Sequence, residues 1–124
     1  MILDVGIDLC SIEKLNKSME NPRFCERVFT EKEMALISSK GAGKAQTAAG
    51  LWAAKEAVLK AFGVGLSGGI ELSEIEITEN GRGAPHLNFY GMAQEKFTEI
   101  QGKKAFISIS HEGDNAMAFV VLEG

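Results

Sequence analysis

The feature that most constrains the fold is a long helical segment that ends in glycine. Alanine, leucine and lysine, which favour helices, dominate the stretch from Leu51 to Phe62. Gly63 follows, and glycine is the residue that most often closes a helix in the left-handed conformation. We therefore predict a central helix from about Ala45 to Gly63. Its large apolar residues share one arc, which should face a core. They are Leu51, Trp52, Val58, Leu59 and Phe62.

Three charged side chains of this helix require an explanation. Lys55 lies inside the apolar arc, so it must reach solvent, pair with an acidic group or bind another molecule. Glu56 and Lys60 lie one turn apart on a face whose other members are alanines. Two interpretations of that face stay open. It is either a solvated ion pair that contributes about 0.2–0.5 kcal/mol, or a site in which small residues leave room for a bound group.

Composition and charge indicate one ordinary globular domain over residues 1–124. Hydrophobic residues make up 45% of the chain and charged residues 24%, which argues against disorder. The formal charge of −4 gives no reason to expect a nucleic-acid partner, because proteins that bind nucleic acid usually present a basic face. We also expect neither a signal peptide nor a membrane span. Cys10 and Cys25 lack metal-type spacing, so reduced thiols in the cytoplasm are expected.

The N-terminal third predicts a strand followed by short helices. Residues 2–9 alternate between apolar and other types, which predicts a strand packed on its apolar side, with Asp8 near its end on the opposite face. Ser11 is expected to cap a short helix that continues to about Met19. Thr30 and Glu33 have the spacing of a capping box, which predicts the start of a further helix. The apolar side of the strand consists of Leu3, Val5, Ile7 and Leu9.

The remainder of the chain predicts two hairpins separated by a helix. Strands are expected over 72–78 and 87–90, an amphipathic helix over 92–100, and strands over 105–111 and 116–122. We therefore expect an α+β fold, in which a small, mainly antiparallel sheet packs against the long central helix.

Two carboxylates on different elements form a candidate site for a hard cation. Asp8 lies near a strand end and Glu56 in the middle of a helix, and Mg²⁺ typically takes one or two protein carboxylates with waters and phosphate oxygens. Lys60 could then neutralise a phosphate. The glycine-rich stretch 63–69 follows a helix C-terminus, where the dipole disfavours anions, so a phosphate there would need lysines or a metal. His111 is either a further polar contact or an exposed turn residue.

Four segments together carry a resemblance to a known family. They are Gly6-Ile7-Asp8-Leu9, then Arg23-Phe24 with Arg27 and Thr30-x-x-Glu33, then the block from Trp52 to Gly65, and Ser108-Ile109-Ser110-His111. In order and spacing, and over nearly the whole chain, they resemble the short 4′-phosphopantetheinyl transferases. The resemblance implies the fold of that family and an enzyme that moves 4′-phosphopantetheine from coenzyme A to a serine of an apo acyl carrier protein. Adenosine 3′,5′-bisphosphate would be released, and the product would serve fatty acid biosynthesis.

The resemblance also implies roles for individual residues. Asp8 and Glu56 would hold Mg²⁺ and, with Lys60, form the catalytic group. A homotrimer with sites between subunits is implied as well. Since acyl carrier proteins are acidic, a basic docking face is expected. Coenzyme A would be bound by Lys60, Gly63, Gly65, Pro85 and His111, and the carrier protein by Lys14, Arg23 and Arg27.

Three positions depart from the usual family pattern. Ser11 stands where a glutamate is usual, which removes a carboxylate near the metal, and Leu51 stands where an arginine is usual, which would weaken a phosphate contact. Lys14 keeps the charge of a common arginine but not its bidentate geometry. Two other functions stay open: a metal-dependent nucleotide phosphohydrolase that uses the same residues, and a non-catalytic module that binds a carrier protein or a nucleotide.

Overall fold

The protein, described here by a computed structural model over residues 1–64 and 68–124, contains a three-stranded sheet, a separate two-stranded sheet and a long helix. Strand β1 (Ile2–Ser11) leads into helices α1 (Ile12–Ser18), α2 (Pro22–Val28), α3 (Glu31–Ser39) and α4 (Lys44–Phe62). The second half contains strands β2 (Ile75–Glu79) and β3 (Pro85–Phe89), helix α5 (Gly91–Glu99), and strands β4 (Lys104–Glu112) and β5 (Asn115–Glu123). Short 3₁₀ turns lie at Gly41–Gly43 and Leu72–Glu74.

Both sheets are antiparallel. The larger sheet has the strand order β1-β5-β4, so the C-terminal strand is central, and β2 pairs with β3 in the smaller sheet. In the larger sheet Asp8 lies opposite Ala118, which in turn lies opposite Ile109. The expected α+β fold, with mainly antiparallel strands and one long helix, is confirmed.

Local signals placed the helix ends correctly. Gly63 closes α4 with a φ of 76°, and its amide donates to carbonyl oxygens of the last turn. The capping box of Thr30 and Glu33 is complete, since each side chain accepts a hydrogen bond from the other residue's amide. Ser11 caps α1 by accepting from the amide of Lys14. These caps satisfy amides and carbonyls that the helices leave without intrahelical partners.

The predicted orientation of β1 is wrong for most of the strand. Val5, Ile7 and Leu9 are 46%, 52% and 63% exposed, whereas Gly6 and Cys10 are buried on the side that faces α4. The physical reason is the close approach of α4, because a Cβ atom at Gly6 would lie 1.9 Å from a backbone oxygen of that helix. Alternation identified the strand, but an apolar residue type does not specify which face a helix covers.

The alanine face of α4 is also different from the expectation. Ala49, Ala53 and Ala57 are fully buried. The carbonyl oxygen of Ala57 is the atom nearest to Gly6, so these small residues allow the helix to lie close to the sheet. The alanines themselves therefore provide contact with the sheet and not clearance for a bound group, whereas Glu56 is half-buried and Lys60 exposed. The apolar arc of α4 is confirmed, with Val58 and Leu59 fully buried.

Candidate active site

Lys60 and Asp8 form the centre of the candidate site. Gly6 brings β1 close to α4, and the ammonium nitrogen of Lys60 then lies 2.9 Å from Asp8 Oδ1 and 3.0 Å from the carbonyl oxygen of Ile7. The Lys60 side chain is 57% exposed and that of Asp8 is 15% exposed. Lys60 therefore pairs with the neighbouring strand. Glu56, the partner that a simple helical ion pair would give Lys60, is a second acidic residue near Asp8 and Lys60.

Glu56 completes a pair of carboxylates on β1 and α4. Its pKa is raised, first because the side chain is partly buried and second because Asp8 carries a nearby negative charge, while the charge of Lys60 opposes the shift. The two carboxylates thus repel each other, and the charge of Lys60 only partly compensates. A divalent cation between them would relieve that repulsion.

The same negative potential reaches a buried thiol. Burial raises the pKa of Cys10 to about 11, and the charges of Asp8, Asp114 and Glu56 raise it in the same direction. Cys10 is therefore a neutral, unreactive thiol at ordinary pH. Both its burial and its raised pKa argue against Cys10 as a nucleophile.

The donor set is small for a metal held by protein alone. Among the residues that the structure describes, no group of three or more His, Cys, Asp and Glu side chains could hold an ion. Asp8 and Glu56 supply carboxylate oxygens, which suit Mg²⁺, and Mg²⁺ usually keeps several waters and takes substrate phosphates as further ligands. The residues present fit a magnesium ion that shares its coordination with a substrate.

Lys55, whose role the sequence left open, forms a buried ion pair. Its nitrogen lies 2.8 Å from Glu33 Oε1, and both side chains are fully buried. Lys55 also donates to the carbonyl oxygens of Leu72, at 2.9 Å, and Ile75. Burial lowers the pKa of Lys55, and the attraction of Glu33 opposes that shift.

Glu33 connects this lysine to two other elements. Its carboxylate accepts hydrogen bonds from the amide of Thr30 at 3.0 Å and from the amide of Ile77 at 2.8 Å. The pair therefore joins α3, α4 and β2. Because Lys55 immediately precedes Glu56, fixing Lys55 on one side of α4 fixes the direction in which Glu56 leaves the helix. In the sequence Glu33 was identifiable only as part of a capping box. The distance along the chain between Glu33 and Lys55 gave no indication that the two residues form an ion pair.

Pro85 and His111 lie at a second location. With Gly83 and Leu51 they line a cavity of about 200 Å³ between α4, β3 and β4. His111 lies two residues beyond Ile109, which shares a row of the sheet with Asp8. Since neighbouring strands lie about 4.8 Å apart, the cavity is about 10 Å across the sheet from Asp8. Gly63 lies at the end of α4, and Gly65 lies outside the described residues.

The predicted docking cations lie on two helices. Arg23 and Arg27 are exposed on α2 and, with Lys17 and Phe24, line a shallow basic depression of about 410 Å³. Lys14 is exposed on α1. The arginines are therefore close together in space, which the alternating charges of the sequence had left undecided.

None of the helices described over residues 1–64 and 68–124 is long and apolar enough to cross a membrane.

Comparison with known proteins gives the same family throughout. A sequence model of the 4′-phosphopantetheinyl transferase superfamily matches residues 4–120. The holo-[acyl-carrier-protein] synthase of Geobacter metallireducens is 42% identical over 125 residues, covering 99% of this chain and 98% of that protein. The enzyme of the same name from Treponema denticola is 38% identical and covers both chains fully, at 100% each.

Solved structures agree with these sequence matches. The holo-[acyl-carrier-protein] synthase of Neisseria meningitidis has a TM-score of 0.87 at 30% identity, covering 100% of each chain. The Helicobacter pylori enzyme, solved in complex with coenzyme A, has a TM-score of 0.83 at 30% identity, covering 96% of this chain and 99% of that one.

The chain belongs to the 4′-phosphopantetheinyl transferase superfamily. Within it, the fold and the full-length relatives define an enzyme of the holo-acyl-carrier-protein synthase type. The resemblance stated from the sequence motifs is confirmed.

Proposed function

We propose that this protein transfers 4′-phosphopantetheine from coenzyme A to a serine of an apo acyl carrier protein, in a Mg²⁺-dependent reaction that releases adenosine 3′,5′-bisphosphate. The observation that carries the proposal is the convergence of Asp8, Glu56 and Lys60 between β1 and α4. A coenzyme A complex of the Helicobacter pylori relative supports the donor. We place the activity in the cytoplasm, in fatty acid biosynthesis.

Asp8 and Glu56 are proposed to hold the magnesium ion. When bound, Mg²⁺ would neutralise charge on the pyrophosphate of coenzyme A and on the leaving bisphosphate. Burial raises the pKa of Glu56 and the charge of Asp8 raises it further; a cation held by both carboxylates would remove the repulsion between them, which supports these ligands. Ser11 offers a hydroxyl where the family usually has a carboxylate, so this site relies on two acidic side chains.

Lys60 is proposed to bind the pyrophosphate. Its ammonium group is half exposed and held by Asp8 and the carbonyl oxygen of Ile7, so it is oriented while still open to a ligand. In the reaction the serine oxygen forms a bond to phosphorus and the pyrophosphate P–O bond breaks. The serine proton passes to a base at the carboxylate pair, and Lys60 stabilises the negative charge of the leaving group.

The cavity lined by Pro85, His111 and Leu51 is proposed to hold the nucleotide end of coenzyme A. Gly63, at the end of α4, would line the approach to the pyrophosphate. With a leucine instead of an arginine at position 51, buried at 3% exposure, this cavity offers a nucleotide phosphate less positive charge.

The exposed face of the larger sheet supports an interface between copies of this chain, and the family resemblance implies that the assembly is a homotrimer with sites between subunits. Soluble monomers rarely leave such a contiguous apolar surface uncovered. We expect Phe119→Glu to produce monomers in sedimentation velocity experiments and to lower activity, whereas Met92→Glu, an equally exposed apolar position on α5, should change neither. Phe119→Glu that keeps the wild-type assembly would contradict this part of the proposal. The face consists of Val5, Ile7, Leu9, Phe106, Met117 and Phe119.

One experiment separates the possible functions. The protein is incubated with coenzyme A, Mg²⁺ and purified apo acyl carrier protein, and the carrier is weighed by mass spectrometry. We expect the mass of one phosphopantetheine to be added, and the addition to be lost with EDTA or in Glu56→Gln but kept in Glu95→Gln, an exposed glutamate of α5.

The other functions give different results in the same assay. A nucleotide phosphohydrolase would release phosphate from coenzyme A and leave the carrier unmodified. A non-catalytic module would bind the carrier or the nucleotide without altering either. Full transfer by Glu56→Gln would contradict the site assignment even if the activity is present.

A further inference from the structure

Asp114 anchors the first helix. This aspartate lies in the turn between β4 and β5, far in sequence from α1, yet its Oδ2 accepts a 2.7 Å hydrogen bond from the hydroxyl of Ser11 and its Oδ1 accepts a 2.8 Å bond from the amide of Glu13. The carbonyl oxygen of Asp114 accepts a further bond, of 2.8 Å, from the amide of Ile12. Three groups of Asp114, its two carboxylate oxygens and its carbonyl oxygen, are thus directed at the start of α1.

Together, Ser11 and Asp114 satisfy the first turn of the helix. The amides of Ile12 and Glu13 donate to Asp114, and the amide of Lys14 donates to the hydroxyl of Ser11 at 3.2 Å. These are amides that a helix cannot pair internally. With only seven residues, α1 is too short to be stable by its own hydrogen bonds, so it depends on external contacts of this kind.

The position of α1 matters because of its neighbours along the chain. Its cap residue, Ser11, is the last residue of β1 and lies three residues after Asp8, and the helix carries Lys14 and Lys17 on its exposed side. The charge of Lys14 is close enough to Asp114 to contribute to the lowered pKa of that carboxyl, after the hydrogen bonds from Ser11 and Glu13. The anchor therefore sets where these two cations lie relative to Asp8.

We propose that Asp114 is a positioning residue for the acyl carrier protein. Through Ser11, Asp114 holds α1 so that the cations of this helix face the carrier protein while Asp8 stays at the reacting phosphate. This inference rests on the proposed function. Both carboxylate oxygens of Asp114 point at α1, so its role is to hold the helix. The cap residue of α1, Ser11, is thereby held by a distant carboxylate.

The test compares Asp114→Ala, Asp114→Asn and the control Asp4→Ala, an exposed aspartate of β1 that accepts only from its neighbour's amide among the bonds described. The amide of asparagine can accept from Glu13 and pair with the Ser11 hydroxyl, so it should retain the anchor without its charge. Losing a helix cap costs about 1 kcal/mol, so Asp114→Ala should weaken affinity for purified apo acyl carrier protein about fivefold.

Three measurements distinguish positioning from a general loss of structure. We expect Asp114→Ala to raise the KM for the carrier, leave the KM for coenzyme A unchanged, and speed amide hydrogen exchange in α1, while Asp114→Asn restores most of each value. An equal rise of both KM values, or wild-type exchange in α1, would overturn the proposal. Faster exchange in α1 with unchanged carrier affinity would overturn it too.

Failure of the proposed function gives a separate result. If the wild type binds apo carrier without transferring phosphopantetheine, the enzymatic proposal is wrong, and carrier affinity together with exchange in α1 still decides the role of Asp114. If the wild type has no affinity for the carrier, both proposals are wrong.

Discussion

Removing the charge of Lys55 should be among the most damaging single changes in this protein. Lys55→Met keeps a long, unbranched side chain but leaves Glu33 buried without its cation, and the carbonyl oxygens of Leu72 and Ile75 lose a donor. Breaking a buried ion pair by removing one partner typically costs about 3–5 kcal/mol. Because small domains have unfolding free energies of about 5–15 kcal/mol, this is a large fraction of the total.

The structure also indicates how much of that loss can be recovered. Burial lowers the pKa of Lys55 in spite of Glu33, so desolvation outweighs attraction for the lysine. The pair is therefore costly to break but contributes little compared with a neutral pair in the same space. The double variant Lys55→Met with Glu33→Gln should be more stable than the single variant, since a neutral amide replaces the isolated carboxylate while it can still accept from Thr30 or Ile77.

Urea unfolding followed by circular dichroism measures both effects. The matched control is Lys40→Met, which breaks a 3.1 Å pair with Glu79 that is partly exposed on both sides. That variant should lose about 1 kcal/mol or less. A loss below about 1 kcal/mol in Lys55→Met, or additive losses from the two substitutions of the buried pair, would refute the reasoning.

Other predictions concern the contact between β1 and α4. Gly6→Ala should lower the unfolding free energy by about 1–3 kcal/mol, because its Cβ would lie 1.9 Å from a carbonyl oxygen of α4, whereas Gly81→Ala, which has open space, should not. With a pKa of about 11, roughly one Cys10 thiol in a thousand is ionised at about pH 8, so Cys10 should resist iodoacetamide in the folded protein. It should react after denaturation, and peptide mass spectrometry would record both results. Rapid labelling of the native protein would contradict the burial of Cys10. Lys60→Met should lower kcat/KM for coenzyme A by about thirtyfold or more, since it leaves Asp8 without its partner and the pyrophosphate without a cation; an unchanged value in the mass-spectrometric assay would exclude Lys60 from the site.

Local chemistry explains what the sequence could predict. The capping box at Thr30, the cap at Ser11 and the left-handed Gly63 depend on residues within one helical turn, so their positions follow from spacing. The motif that includes Glu56 and Lys60 is equally local. The α+β fold followed from the order of such segments.

Long-range contacts explain what the sequence could not predict. Glu33 precedes Lys55 by 22 residues, and Ser11 meets Asp114 across 103 positions. The orientation of β1 depends on which of its faces receives α4, and α4 covers the face of Gly6 and Cys10 and not the one with the larger apolar side chains. In each case a second element supplies the missing information, and residue type alone leaves the partner undetermined.

The proposed reacting groups are therefore positioned by contacts between elements of the fold. Asp8, Glu56 and Lys60 come from compact motifs, but their positions depend on contacts between different elements of the fold. Glu33 fixes the turn of α4 that carries Glu56, and Gly6 lets β1 approach α4 closely enough for Asp8 to meet Lys60. A chain could keep Asp8, Glu56 and Lys60 and still lose Gly6 or Glu33. It would have the right residues at the wrong distances, and phosphoryl-type transfer depends mainly on position and charge.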